Sequence, residues 1–369
     1  MTKVILTLNA GSSNLKYSVY DARELTQIDA GKIEFNKGEA HPAQYALDRV
    51  MALVENRHGS AAVAAVGHRV VHGGDRFSLP TPVSDEVMAE LHKLVPLAPL
   101  HLPAELDAIE VISRYYAKLP QVVCFDTAFH ATQLPLARWF GLTRELMAAG
   151  VKRYGFHGLS YHYISTVLPV HLAPRQQARV VVAHLGNGAS MCALRDCLSV
   201  TTTMGFTALD GLMMGTRCGE LDPGVVLHLC QELGMSLAQV QNLLYKQSGL
   251  LGVSGISSDM RDLEQSSAAE AREARELFAL RAAQKLASLL PALGGLDAIV
   301  FTGGIGEHSS ATRAMICERL GWLGVQLDEL ANQRHATRID AGANSAVGVY
   351  VIPTNEELMI AQQTADALN

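Results

Sequence analysis

Apolar residues fall along this chain in short runs broken by small polar knots. Val4 to Leu8 is one such run; Asn9-Ala10-Gly11-Ser12-Ser13-Asn14 interrupts it, and an alternating stretch closes it at Tyr20. The pattern predicts strand, tight turn, strand. Further buried strands are read over Val63 to Val71 and Gln121 to Phe125, with helical stretches over Ala43 to Glu55 and Ala104 to Tyr116. Strands and helices in alternation imply an α/β domain with a largely covered sheet.

A second half begins near Gly150 and repeats the opening. Val180 to Ala183 is an apolar strand, Gly186-Asn187-Gly188-Ala189-Ser190 a second polar knot, and Met191 to Leu194 an alternating run. The repetition suggests an internal duplication. Further on, Ser267-x-x-Glu270 reads as a capping box opening a long helix through Leu290, with Leu277, Phe278, Leu286 and Leu289 on its buried side. Leu296 to Thr302 is a third strand running into glycines, Gly303-Gly304-Ile305-Gly306. A strand over Val347 to Ile352, a turn at Pro353-Thr354-Asn355 and a helix from about Glu356 close the chain.

A length of 369 residues favours two domains. With 49% hydrophobic and 18% charged residues the chain has ample material for packed cores. The net charge of −6, with both signs interspersed, offers no basic surface, so nucleic acid is not expected as a partner. The opening apolar run is too short for a signal peptide or a membrane span, which points to the cytoplasm and no membrane partner. Six scattered cysteines lack the spacing of a zinc site or a disulfide framework, and the fourteen histidines form no H-E-x-x-H.

Glycine lets a backbone approach a ligand closely, and successive turn N–H groups make an anion-binding concavity. Each knot alone reads as a plain hairpin turn, Asn187-Gly188 above all. Three in one chain, two of them in equivalent places, suit the phosphates of a nucleotide. Neither the P-loop nor the Rossmann lettering occurs.

The ordered motifs NAGSSNLK (9–16), GHRVVHGG (67–74), APLH (98–101), FDTAFH (125–130), YGFHG (154–158), HLGNGAS (184–190), TMGFTALDGLMMGTRCGELDP (203–223), SSDMRD (257–262), TGGIGEHS (302–309) and PTNEELMIA (353–361) carry a resemblance. With them the chain resembles the acetokinase family, within the actin, sugar-kinase and Hsp70 ATPase superfamily, over residues 4 to about 362. The resemblance implies a duplicated ribonuclease H-like (actin-like ATPase) α/β fold with an interdomain active-site cleft. Its domains would be 1–127 plus 356–369, and 128–355, the latter with the adenosine site and a homodimer interface.

The activity implied is reversible transfer of a phosphoryl group from ATP to acetate, giving acetyl phosphate and ADP. Arg69 and Arg217 suit a carboxylate and a moving phosphoryl group because guanidinium is a fixed, charged donor fork. By resemblance these two bind the acetate carboxylate and stabilise the transition state, and His157 hydrogen-bonds the transferring group. Asp126 is an essential carboxylate by the same resemblance. It could orient Arg69 or Arg217, or cap the next helix; acetate is already ionised near neutral pH and needs no base.

The family's Mg²⁺ (or Mn²⁺) ligands match Asn9 and Glu356, and its acyl pocket matches Val71, Leu100, Phe156 and Ala208. Nucleotide contacts are implied for Ser12, Asn14 and Lys16, for His184, Leu185, Gly186, Asn187 and Gly188, for Asp259, Met260 and Arg261, and for Gly304, Ile305, Gly306, Glu307 and His308. Asn14, Leu102 and His308 depart from residues usual in the family, and residues 20–60 form a shorter segment. Ala208 stands where proline is usual, which suggests some activity on propionate. A propionate kinase and, from another class, an Hsp70-like nucleotide-gated binding module are the rival readings.

Overall fold

The structure, a computed structural model, describes residues 3–11, 14–35, 42–59, 63–172 and 178–369. Ser12 and Ser13 lie outside the described residues. Two compact units are formed: Met1–Ala131 with Phe156–Tyr163 and Asn355–Asn369, and Thr132–Gly155 with Ile164–Thr354.

The first unit is built on strands β1 (Val4–Ala10), β2 (Asn14–Asp21), β3 (Gln27–Glu34), β4 (Val63–Val70), β5 (Thr81–Pro82) and β6 (Gln121–Phe125), in the order β3-β2-β1-β4-β6-β5. β1 runs antiparallel to β2 and parallel to β4, and β4 runs parallel to β6. Side chains alternate along β1 as its period of two requires. Val4, Leu6 and Leu8 pack with Ala46, Leu47, Val50 and Val54 of the helix Pro42–His58, and with Ala108 and Ile112 of the helix Leu102–Tyr115. Ile5 goes the other way, to Tyr20 and Ala361 of the closing helix Glu356–Leu368, whose Met359 and Ile360 also pack on Val122 and Cys124. Burying each Leu or Ile side chain contributes about 1.5–3 kcal/mol. Both sheet faces are thus covered, and the ends of β1, β4 and β6 are held fixed.

The second unit carries β7 (Arg179–Leu185), β8 (Ala189–Arg195), β9 (Leu198–Thr202), β10 (Ala298–Thr302) and β11 (Gly348–Val351), in the order β11-β10-β7-β8-β9. β7 is antiparallel to β8 and parallel to β10, which is parallel to β11. Read outward from the hairpins, β9-β8-β7-β10-β11 reproduces β3-β2-β1-β4-β6 in order and direction. This is the duplication that the sequence suggests; β5 is an addition at one edge of the first sheet.

The long helix Ala269–Leu293 buries Ala271, Ala274, Phe278, Ala282, Leu286, Leu289 and Leu293, while Leu277 is half-buried. The expected capping box does not form. Ser266 Oγ accepts from Ala268 N at 3.2 Å, which turns the chain so that Ala268 becomes the N-cap, with no side-chain cap. Glu270 then sits in the first helical turn, favourable there through the helix dipole alone. The glycines after β10 also differ from the expected turn: Gly303, at φ +76°, lets the strand swing directly into a six-residue helix, Gly303–His308. Among the described residues no helix is long and apolar enough to cross a membrane.

Candidate active site

In the first unit the site grows from the C-terminal ends of parallel strands, where α/β sheets present functional groups. Asp126 directly follows β6 and is 1% exposed. Arg69, on β4, reaches it with two nitrogens: Nη2 donates to Oδ2 at 2.5 Å and Nε to Oδ1 at 3.3 Å. Arg69 Nη1 also donates to Asn9 Oδ1, at 3.2 Å, near the end of β1. Burial works against the Arg69 charge, but the carboxylates of Asp126, Glu356 and Glu105 outweigh it and hold the guanidinium protonated. Burial pushes the Glu356 carboxyl up, Arg69 draws it back and Asp126 pushes it further up. Asn9, Arg69, Asp126 and Glu356 therefore form one electrostatic cluster. Lys16 pairs with Asn9 across the hairpin and is exposed. Asn14 opens β2, its carbonyl accepting from Gly11 N at 2.8 Å.

The motif segments of this unit are knotted together. Gly158 N donates to Asp126 O at 2.9 Å, and a Cβ at Gly158 would lie 2.0 Å from that oxygen, so only glycine permits the approach. His157, the residue before it, has φ +58°, an uncommon conformation for a side chain of its size. Phe156 is buried; its carbonyl meets His130 Nε2 at 3.0 Å and its ring the edge of His72 at 5.7 Å. His72 Nδ1 accepts from Gly74 N at 2.9 Å, and burial pushes its pKa down to about 4, so it is neutral. Val71 is buried and Leu100 half-buried.

One residue here escapes the sequence reading. Glu105 is 2% exposed; its Oε2 accepts from Val71 N at 2.9 Å, while Oε1 has no hydrogen-bond partner among the described residues. Burial pushes its carboxyl up to about 7, against the pull of Arg69 and of the Val71 N–H. The signal was available: Glu105 falls on the apolar stripe Leu102, Leu106, Ile109 of its helix.

In the second unit β7 and β8 meet at Leu185 and Ala189, and Gly186 N closes the turn on Gly188 O at 3.0 Å. His184 is half-buried and Asn187 exposed. The Arg217 loop is fastened to this turn: Gly215 N donates to Asn187 O at 3.0 Å, and a Cβ at Gly215 would lie 1.9 Å from Asn187 Oδ1. Arg217 Nη1 donates to Ala208 O at 2.7 Å, which brings two of the expected residues together.

Beside the turn is a cavity of about 630 Å³, the size range of small-molecule sites. Gly186, Asn187, Asp259, Met260, Arg261, Gly304, Ile305 and His308 line it, so the structure brings these residues of the sequence analysis together. Asp259 also caps the helix Met260–Gln265, accepting from Arg261 N at 2.9 Å. Leu185 and Gly306 are buried, and neither they nor His184 and Gly188 line the cavity. Glu307 Oε1 instead accepts from Gly303 N at 2.8 Å and Thr354 N at 3.2 Å, stitching the turn to the chain after β11.

The sequence reading missed Glu264 and Ser309, which line the cavity hydrogen-bonded to each other. It also missed the fully buried Arg313, whose Nη1 donates to Gly306 O at 2.8 Å and Glu307 O at 3.0 Å and so pins the end of the helix Gly303–His308. Helical spacing from Met260 and Arg261 could have flagged Glu264; nothing short of the structure marks Arg313.

A duplicated α/β fold with a glycine hairpin in each half, a nucleotide-sized cavity and an arginine forked onto a buried carboxylate defines a phosphotransferase of the actin-like ATPase fold. The chain belongs to the acetokinase family, whose model it matches over residues 4–362. It is 50% identical over 389 aligned residues to the acetate kinase of Rhodopseudomonas palustris, covering 98% of both chains. Among solved structures, a propionate kinase from Francisella tularensis superposes with a TM-score of 0.91 at 35% identity, covering 98% of each chain. The acetate kinase of Porphyromonas gingivalis gives 0.89 at 32%, covering all of both. The activity is accordingly that of acetate kinases, phosphoryl transfer with a carboxyl group as acceptor.

Proposed function

We propose that the chain transfers the γ-phosphoryl group of ATP to acetate in one reversible, in-line step, with ATP held on the second unit and acetate on the first. The observation that carries this reading is the Arg69 fork onto Asp126 with Asn9 at its third nitrogen. The arrangement fixes a guanidinium at a strand end while leaving it partly open, at 18% exposure, for an anion. Asp126 orients Arg69 rather than acting as base, because both its oxygens accept from that arginine and acetate has no proton to lose.

The acetate oxygen forms its bond to the γ-phosphorus as the bond to the β–γ bridging oxygen breaks, and ADP leaves. Arg217 neutralises the charge spread over the transferring group, and His157 hydrogen-bonds it. Asn187, Gly188 and Lys16 hold the remaining phosphates, and Asp259 to Arg261 with Gly304 to His308 enclose the nucleoside. Ser12 and Asn14 belong to the same phosphate grip.

We assign a Mg²⁺ ion to Asn9 and Glu356, both of which neighbour Arg69. The donors are oxygens only and too few for an all-protein cage, as suits an ion that keeps water and phosphate ligands. When bound it screens the phosphate charges. We also assign a homodimer: the apolar helix Pro223–Gln231 buries none of its residues, and Leu227, Leu233 and Leu237 stand exposed around it. The six cysteines, all free, suit a reducing cytoplasm.

Trapping with hydroxylamine tests the reaction. With Mg-ATP and acetate the acyl hydroxamate accumulates; its absence with acetate and every other short carboxylate would reject the proposal.

A further inference from the structure

Glu105 has a carboxyl group in a place that burial makes hostile to charge, and only one of its oxygens is satisfied. Oε2 is fixed on the N–H of Val71, two residues beyond Arg69, and Oε1 is buried without a partner among the described residues. An ionised carboxylate with one bare oxygen is costly to bury. A neutral carboxyl keeps the bond from Val71 N on Oε2 and carries its proton on Oε1.

The surroundings reinforce this state. Arg69 on β4 is the cation acting on Glu105, and Asp126 after β6 is the anion that opposes its ionisation. The helices Pro42–His58 and Asp85–Lys93 also pack on the helix Leu102–Tyr115. Among the described side chains their charged residues are exposed, apart from the half-buried Glu90, which pairs with Lys93, and His92 meets Glu110; the buried His68 of β4 is neutral and bonds Gln121. Arg69 is already forked onto Asp126 and draws on Glu356 as well. A third negative group beside it leaves less positive potential for an anionic acceptor.

We propose that Glu105 is a positioning residue for the acceptor, fixing the Val71 main chain and admitting acetate to Arg69 only while its own carboxyl is neutral. This rests on the reading of Arg69 and Val71 as the acceptor end. Acetate binding then weakens with rising pH although acetate itself stays ionised throughout. For a group that titrates at about 7, requiring the neutral form raises the KM for acetate about tenfold between pH 6 and pH 8.

The test is the KM for acetate from pH 6 to pH 8.5, at saturating Mg-ATP, in the wild type, Glu105→Gln and Arg69→Ala. Glutamine keeps an acceptor for Val71 N and cannot ionise, so its KM should stay flat while that of the wild type climbs about tenfold between pH 6 and pH 8. A Gln variant that climbs like the wild type overturns the proposal, since a merely structural role would survive the exchange. Should Glu105→Gln fail to fold, shown by loss of ATP binding in calorimetry, the wild type alone decides, and a flat profile overturns the proposal. Arg69→Ala separates the two readings. A raised KM at every pH keeps the acceptor end at Arg69, whereas an unchanged KM removes that assignment and the role of Glu105 with it.

Discussion

Arg69 and Asp126 are held in a two-point fork, Nη2 to Oδ2 at 2.5 Å and Nε to Oδ1 at 3.3 Å, with the carboxylate buried and the guanidinium still reachable. A geometry of this kind fixes the plane of the arginine rather than its charge. Asp126→Asn keeps the volume, loses the charge and offers Arg69 one acceptor in place of two. A fall in kcat/KM for acetate of about 10²-fold is expected, with the KM for ATP nearly unchanged, in steady-state kinetics. Equal losses toward both substrates would mean that Asp126 does more than orient its arginine.

Arg217 is tied to the main chain at Ala208, and its loop to the turn at Asn187. Replacing it by alanine should lower kcat by about 10³-fold or more while ATP affinity, measured by calorimetry, changes little. A kcat within a few-fold of wild type would remove Arg217 from the transition state.

Gly215 has no room for a side chain, because a Cβ would meet Asn187 Oδ1 at 1.9 Å. Gly215→Ala should therefore displace Asn187 and act on the nucleotide from outside the cavity. We expect a KM for ATP raised about tenfold and a thermal midpoint lowered by about 1–2 °C, the equivalent of roughly 1 kcal/mol in a chain of this size. Differential scanning calorimetry and ATP titration check both.

His72 is buried and neutral, its pKa pushed down to about 4 from an ordinary 6.5. The unfolded chain takes up a proton near pH 6.5 that the folded chain refuses until about 4, so stability present above 6.5 is lost as pH falls through that window. Between pH 7 and pH 5 this one residue costs about 2 kcal/mol. His72→Gln, whose amide oxygen can accept from Gly74 N, should lose about that much less over the same interval in urea unfolding. An identical pH dependence would show that His72 is not buried as a neutral ring.

Ala208, proposed from the family resemblance to wall the acyl pocket, bears on specificity. Ala208→Pro should shift the ratio of kcat/KM for acetate over propionate toward acetate by about tenfold, within the range one methylene commands. A ratio unmoved by the change would locate the discrimination elsewhere in the pocket.

Much of this architecture was legible before any coordinates, and for physical reasons. The hairpins announce themselves by apolar runs broken at small polar residues, and their recurrence at matched places exposes the duplication. Asp126 and Arg69 were legible as residue types at strand ends, but their mutual fork was not, because strand neighbourhood across β4 and β6 is a tertiary fact. Asp126 had three possible jobs in the sequence; register leaves it beside one arginine. Ser267 shows the limit of a local motif: Ser266 satisfies the backbone of Ala268 first, and the box loses its helix start. Glu105 was hidden for another reason. Its place on the apolar stripe of the helix pointed inward, but an acid in the first turn of a helix is ordinary, and the covering of that face decides between the two.

The matching order of the two sheets lets each half be numbered against the other. Asn9, paired across its hairpin with Lys16, occupies the strand place that His184 holds in the second half, paired there with Ser190. The two hairpins differ in turn length, with four residues between the paired Ala10 and Leu15 and three between Leu185 and Ala189. A cation stands on one strand where its counterpart carries a buried hydroxyl, so two copies of one scaffold present different chemistry at the same strand place.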